Sequence, residues 1–74
     1  MTEYNLNAEG LICPLPVLKA QKVLKTMQAG DVLIVSVTDK NAEKEFRLFC
    51  AEREYAFKPI ETKGDIITLS LKLS

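Results

Sequence analysis

The sequence predicts an α/β two-layer sandwich in the order βαβαββ, with a four-stranded mixed sheet and two helices on one face. Three observations lead there. Tyr4, Leu6 and Ala8 near the start, and Ile67, Leu69, Leu71 and Leu73 near the end, alternate with polar residues. Alternation of that kind marks strands with one dry and one wet face. Two central stretches carry apolar residues at helical spacing instead. Between them lies Val-Leu-Ile-Val-Ser-Val at 32–37, a continuous β-branched run suited to an inner strand.

Each element has a local reason. Residues 3–8 alternate and form a short first strand. A first helix runs from Pro14 to about Met27, with Val17, Ala20, Val23, Leu24 and Met27 recurring at helical spacing. Gln28, Ala29, Gly30 and Asp31 close it, Gly30 being suited to a left-handed terminal position. After the inner strand, Thr38 and Asp39 offer a cap for a second helix that reaches about Glu54. Its inner face carries Ala42, Phe46, Phe49 and Cys50, and Leu48 falls on the opposite side as a candidate exposed apolar residue. Tyr55 to Thr62 forms a third strand; Pro59 cannot donate to a ladder and assigns that strand to a sheet edge. Lys63, Gly64 and Asp65 turn the chain into the last strand, so the final pair is a hairpin. Strand, crossover helix and strand in succession favour a parallel first pair with a right-handed connection.

Seventy-four residues make one small domain, 1–74, close to the size at which a single core still suffices. Hydrophobic residues are 47% and charged residues 27%, a globular composition. Ten basic and ten acidic side chains cancel, which disfavours a nucleic-acid or anionic-membrane partner. No apolar run approaches the roughly 18 to 20 residues of a membrane span. The start, Met-Thr-Glu-Tyr-Asn, lacks the basic and apolar regions of a signal peptide, so a cytoplasmic, reducing setting is the expectation. Two cysteines there are expected as free thiols.

Cys13 stands out, in Gly10-Leu11-Ile12-Cys13-Pro14-Leu15-Pro16. A helix beginning near Gly10 would hold both prolines inside, each costing about 3 kcal/mol. A start at Cys13 or Pro14 removes that cost and makes Cys13 the cap. Leu15 fits less well, since it precedes Pro16 and must still be helical. The amino end of a helix carries about half a positive charge and lowers the pKa of a thiol placed there. The bland alternative is a small capping hydrophobe without a task, and the two prolines at a helix start weigh against it. The absence of histidine excludes a Cys–His pair and an ordinary zinc cluster. Cys13 has no partner two residues beyond Pro14, which excludes a thioredoxin-type dithiol. Pairing with Cys50 stays conceivable, although Cys50 reads as core. A chain this short has little room for a water-excluding pocket of several hundred Å3. An exposed nucleophilic thiol on so small a scaffold points to a carrier rather than a self-contained enzyme, with no cofactor and no metal.

The chain resembles the TusA family of small sulfur carriers, also called SirA-like. The likeness rests on a first strand leading into Leu6-Asn7-Ala8-Glu9-Gly10-Leu11, on Cys13-Pro14-Leu15-Pro16 opening a helix, on Gly30-Asp31 before the apolar strand, and on Phe49-Cys50 late in the second helix. The resemblance implies the βαβαββ fold and a persulfide held on Cys13, with Gly10, Pro14 and Pro16 as supporting motif residues. It also implies a cysteine desulfurase or other sulfur donor, and a downstream protein that accepts the sulfur. Four positions depart from the commoner pattern. Asn7 stands where Asp is frequent, Ile12 where a basic residue often precedes the cysteine, Leu15 in a slot that is often acidic, and Asp39-Lys40 in place of Asp-Pro. The local surface becomes more apolar and less charged. The pathway stays open among tRNA thiolation, sulfur-compound uptake, selenium metabolism and sulfur oxidation, and association with a membrane transporter is compatible with it.

Lys19, Lys22 and Lys25 step three residues apart along the first helix and form a basic stripe. A solvated face is the plain reading; docking of an acidic donor surface is the functional one. Two rival functions stand beside the carrier. One is a regulatory or protein-interaction module that does not need the thiol, and the other is a nucleic-acid-binding open sheet, for which zero net charge is the wrong balance.

Overall fold

The computed structural model describes residues 2–12 and 15–73. In chain order the elements are β1 (Glu3–Ala8), α1 (Leu15–Leu24), β2 (Val32–Val37), α2 (Lys40–Arg53), β3 (Ala56–Lys63) and β4 (Ile66–Lys72). The strands form one sheet in the order β1-β2-β4-β3. β1 pairs parallel with β2, whereas β4 pairs antiparallel with both β2 and β3. β3 therefore runs in the same direction as β1 and β2, with β4 inserted. The expected βαβαββ mixed sheet is present.

The register explains the two layers. Leu6, Val35 and Leu69 stand opposite one another across three strands, as do Tyr4, Leu33 and Leu71. Leu33, Val35, Val37, Leu69 and Leu71 are fully buried beneath the helices. Their neighbours Val32, Ile34, Ser36, Thr68 and Ser70 point to the other face and keep part of their surface in water. Ala20 and Leu24 of α1, and Ala42, Phe46 and Cys50 of α2, complete the core. Phe49 is half-buried at its margin, with its ring edge-on to Tyr55 at 6.2 Å and Arg53 stacked 4.9 Å from its centre.

Both helices return from the carboxyl ends of strands, so their amino ends lie at one end of the sheet, where Ala8 pairs with Val37. Asp39 caps α2, accepting the Asn41 N–H at 3.0 Å, and Glu54 ends it in a left-handed conformation. Pro59 lies on the edge strand β3, as expected, and the register shifts between Pro59 and Glu61.

The boundaries of α1 and β3 differ from the sequence reading, β3 also taking in Lys63 from the expected turn. α1 ends at Leu24 instead of reaching Met27. Lys25 still donates to Gln21, but Thr26 and Met27 donate to Val23 and Leu24 in tighter turns, and the Thr26 hydroxyl also donates to Val23. Met27 stays buried without being helical. Gly30 is left-handed as expected (φ 93), but within the turn that enters β2. β3 begins one residue later than predicted, because Tyr55 N–H is used to close α2 on the Cys50 carbonyl.

Candidate functional site

The segment joining β1 to α1 is built by short-range hydrogen bonds and one distant one. Asn7 Oδ1 accepts the Glu9 N–H at 2.9 Å, and Leu11 N–H reaches the Ala8 carbonyl at 3.3 Å. An amide oxygen at position 7 thus supplies this acceptor without carrying a charge. Gly10 has a φ of 81, a left-handed conformation that side chains resist. Its N–H donates to Thr38 Oγ1 at 2.8 Å, across 28 residues of sequence. Leu15 N–H donates to the Ile12 carbonyl at 2.9 Å as the chain enters α1.

Cys13 and Pro14 lie outside the described residues, and with them the expectation that Pro14 opens the helix and Cys13 caps it. The flanks are described. Gly10 is exposed, Ile12 keeps 73% of its surface in water, and Leu15 keeps 51%. Leu15 is helical in spite of preceding Pro16, and Pro16 is buried against the core. The apolar, weakly charged surface expected from Ile12 and Leu15 is present.

The two helix amino ends at this edge differ in charge. α2 begins with Asp39 as its cap and Glu43 in its first turn, which offset its positive end. α1 has no acidic residue in its first turn, and its ionised side chains are Lys19 and Lys22. The field at the start of α1 is left uncompensated by its own helix, and it favours an anion.

Lys19, Lys22 and Lys25 come together with Leu11, Leu15, Leu18 and Gln21 around an open groove of about 500 Å3. Leu15, Leu18 and the three lysines are exposed, so the groove is open to water. The sequence reading found the lysine stripe but not the leucines beside it; Leu15 and Leu18 at three-residue spacing were the available signal. Gly10 and Pro16 bracket Cys13 in sequence, one in the left-handed turn and one packed inward. Cys50 is buried on α2, and burial pushes its thiol up to about 11. A neutral, enclosed thiol is a packing residue. Leu48 is exposed, as predicted. Among the described residues no helix is long and apolar enough to cross a membrane.

Known proteins agree with this architecture. The family model described as "Sulfurtransferase TusA" matches residues 4–72. A Neisseria meningitidis serogroup A protein named "Putative sulfur carrier protein" is 39% identical over 69 residues, covering 93% of each chain. The "Sulfur carrier protein TusA" of Allochromatium vinosum is 44% identical over 50 residues, 68% of this chain and 66% of that one. The crystal structure of a SirA-like protein from Desulfitobacterium hafniense superposes with a TM-score of 0.82 at 25% identity, covering 97% of this chain and 96% of the other. This chain belongs to the TusA family of sulfur carrier proteins.

Proposed function

We propose that Cys13 accepts sulfur as a persulfide from a donor such as a cysteine desulfurase and passes it to an acceptor protein. The observation that carries this reading is the Cys13-Pro14-Leu15-Pro16 string, which runs into a helix whose first turn lacks acid, in a chain of this family. The exchange is redox-neutral. The Cys13 thiolate attacks the terminal sulfur of the donor's persulfide, the donor's S–S bond breaks, and the donor's thiolate leaves. The acceptor's thiolate then takes the same sulfur from Cys13, whose thiolate is regenerated. A helix amino end with no acid in its own first turn favours each anionic form of Cys13. The leucine-and-lysine groove of α1 is where an acidic donor surface would dock, its lysines steering and its leucines burying apolar area.

Intact-mass spectrometry after incubation with a cysteine desulfurase and cysteine tests the reading. The expected result is a gain of one reducible sulfur atom, absent from Cys13→Ser, whose fold is unchanged by circular dichroism. Sulfur loading of Cys13→Ser, or none of the wild type, would exclude it; partner binding that survives Cys13→Ser but fails on Leu48→Asp would favour the thiol-independent module.

A further inference from the structure

We infer that Thr38 is a positioning residue for sulfur transfer, holding the turn that delivers the chain to Cys13. The inference rests on the carrier reading. Its observation is the hydrogen bond from Gly10 N–H to Thr38 Oγ1, 2.8 Å long. Thr38 stands between the last residue of β2 and the cap of α2, so it is set by the sheet on one side and a helix on the other. Asp39 supplies the cap of α2, which leaves the Thr38 hydroxyl for Gly10. Gly10 can present its N–H in this direction because its φ is 81, and a Cβ there would meet no atom within 4 Å. Backbone conformation, not space, is what position 10 demands.

The stretch held by this bond is exposed at Glu9, Gly10 and Ile12, and its local bond from Leu11 to Ala8 is long at 3.3 Å. Apart from Leu11, which packs against the core, and the Asn7–Glu9 bond, little holds this turn, so it has competing conformations. One short bond to a rigid junction selects among them and sets the path of the chain up to Ile12, the described residue that precedes Cys13 in sequence. The benefit of a helix field falls off within a turn, so small displacements of a thiol change its ionisation. The charged chain neighbours of the bonded pair are Glu9, Asp39 and Lys40, and the substitutions at Thr38 leave their identities unchanged.

The test compares wild type, Thr38→Val and Thr38→Ser. The pH profile of Cys13 alkylation by iodoacetamide is read by peptide mapping, alongside the rate of sulfur loading by a desulfurase and thermal unfolding. Thr38→Val should move the alkylation midpoint toward the ordinary cysteine value of about 8.5 and slow loading several-fold. Thr38→Ser should restore both, with all three proteins melting within a few degrees of one another. A wild-type profile in Thr38→Val, or a serine variant that behaves like the valine one, overturns the inference while leaving the carrier reading standing. A wild-type protein with an ordinary midpoint and no sulfur uptake removes the carrier reading, and this inference with it.

Discussion

Asp31 accepts the backbone N–H of Thr2 at 3.0 Å, and Thr2 returns a carbonyl to the N–H of Val32 at 2.9 Å, so the start of β1 is laced to the entry of β2. The second carboxylate oxygen accepts the Gln28 N–H at 3.0 Å. One buried side chain therefore orders the first strand and the turn after α1 together.

That carboxylate should make the fold acid-sensitive. The hydrogen bond from Gln28 is the largest influence and holds Asp31 below the usual aspartate range; burial opposes it, and the bond from Thr2 adds a further lowering. A depressed native pKa stabilises fully above the unfolded value of about 3.9 and is lost as pH falls through the native value. Asp31→Asn keeps one acceptor and loses the other, so it should melt lower than wild type at pH 7. Its melting temperature should also decline less steeply below pH 4, as thermal scans across pH 2–7 would reveal.

Glu54 closes α2 with a φ of 61 and a ψ of 31, a conformation that costs an L-residue about 1–2 kcal/mol. Glycine relieves that strain and loses about 0.5–1 kcal/mol in chain entropy. Glu54→Gly should therefore gain about 0.5–1 kcal/mol in urea unfolding, with no change in sulfur loading.

Much of the sheet was legible because its code is short-range. Alternation at Leu69 and Leu71 names the buried face directly, and Pro59 names an edge without any knowledge of its partner. The end of α1 was not legible in the same way. Met27 continues the apolar spacing and is buried, yet it reaches the core through two tight turns, and periodicity cannot separate those cases. Phe49 packs against the core from the expected apolar face but stays half-buried, with Tyr55 and Arg53 giving its ring an aromatic and cationic cover at the margin. The bond between Gly10 and Thr38 spans 28 residues and leaves no local trace. In the sequence Asp31 is a turn residue like any other, and its buried role depends on Thr2, 29 positions away.

Cys50 should be silent in transfer. Its thiol is pushed up to about 11 by burial, so native protein at pH 7–8 should take one iodoacetamide label per chain and denatured protein two. Cys50→Ala should load sulfur as the wild type does. Above the unfolded thiol value of about 8.5 the unfolded chain ionises while native Cys50 stays protonated, so stability at this position is lost as pH rises. Chemical unfolding at pH 7 and pH 10 should show that loss reduced in Cys50→Ala.

The lysines of α1 should act on encounter rather than chemistry. Replacing Lys19, Lys22 and Lys25 together with alanine should slow desulfurase-driven loading about tenfold at low salt. The wild-type rate should fall as salt is added while the variant's stays flat, and stopped-flow loading from 20 to 500 mM salt would decide it. Equal rates at low salt would assign the stripe to solvation alone.

The register shift beside Pro59 has a consequence for how the molecule behaves in a crowd. An outermost strand invites copies of itself to stack on and grow into filaments. Here the missing proton on Pro59 and the displacement around Ile60 spoil the repeat that such growth needs. This flank is therefore a poor template for the addition of further strands.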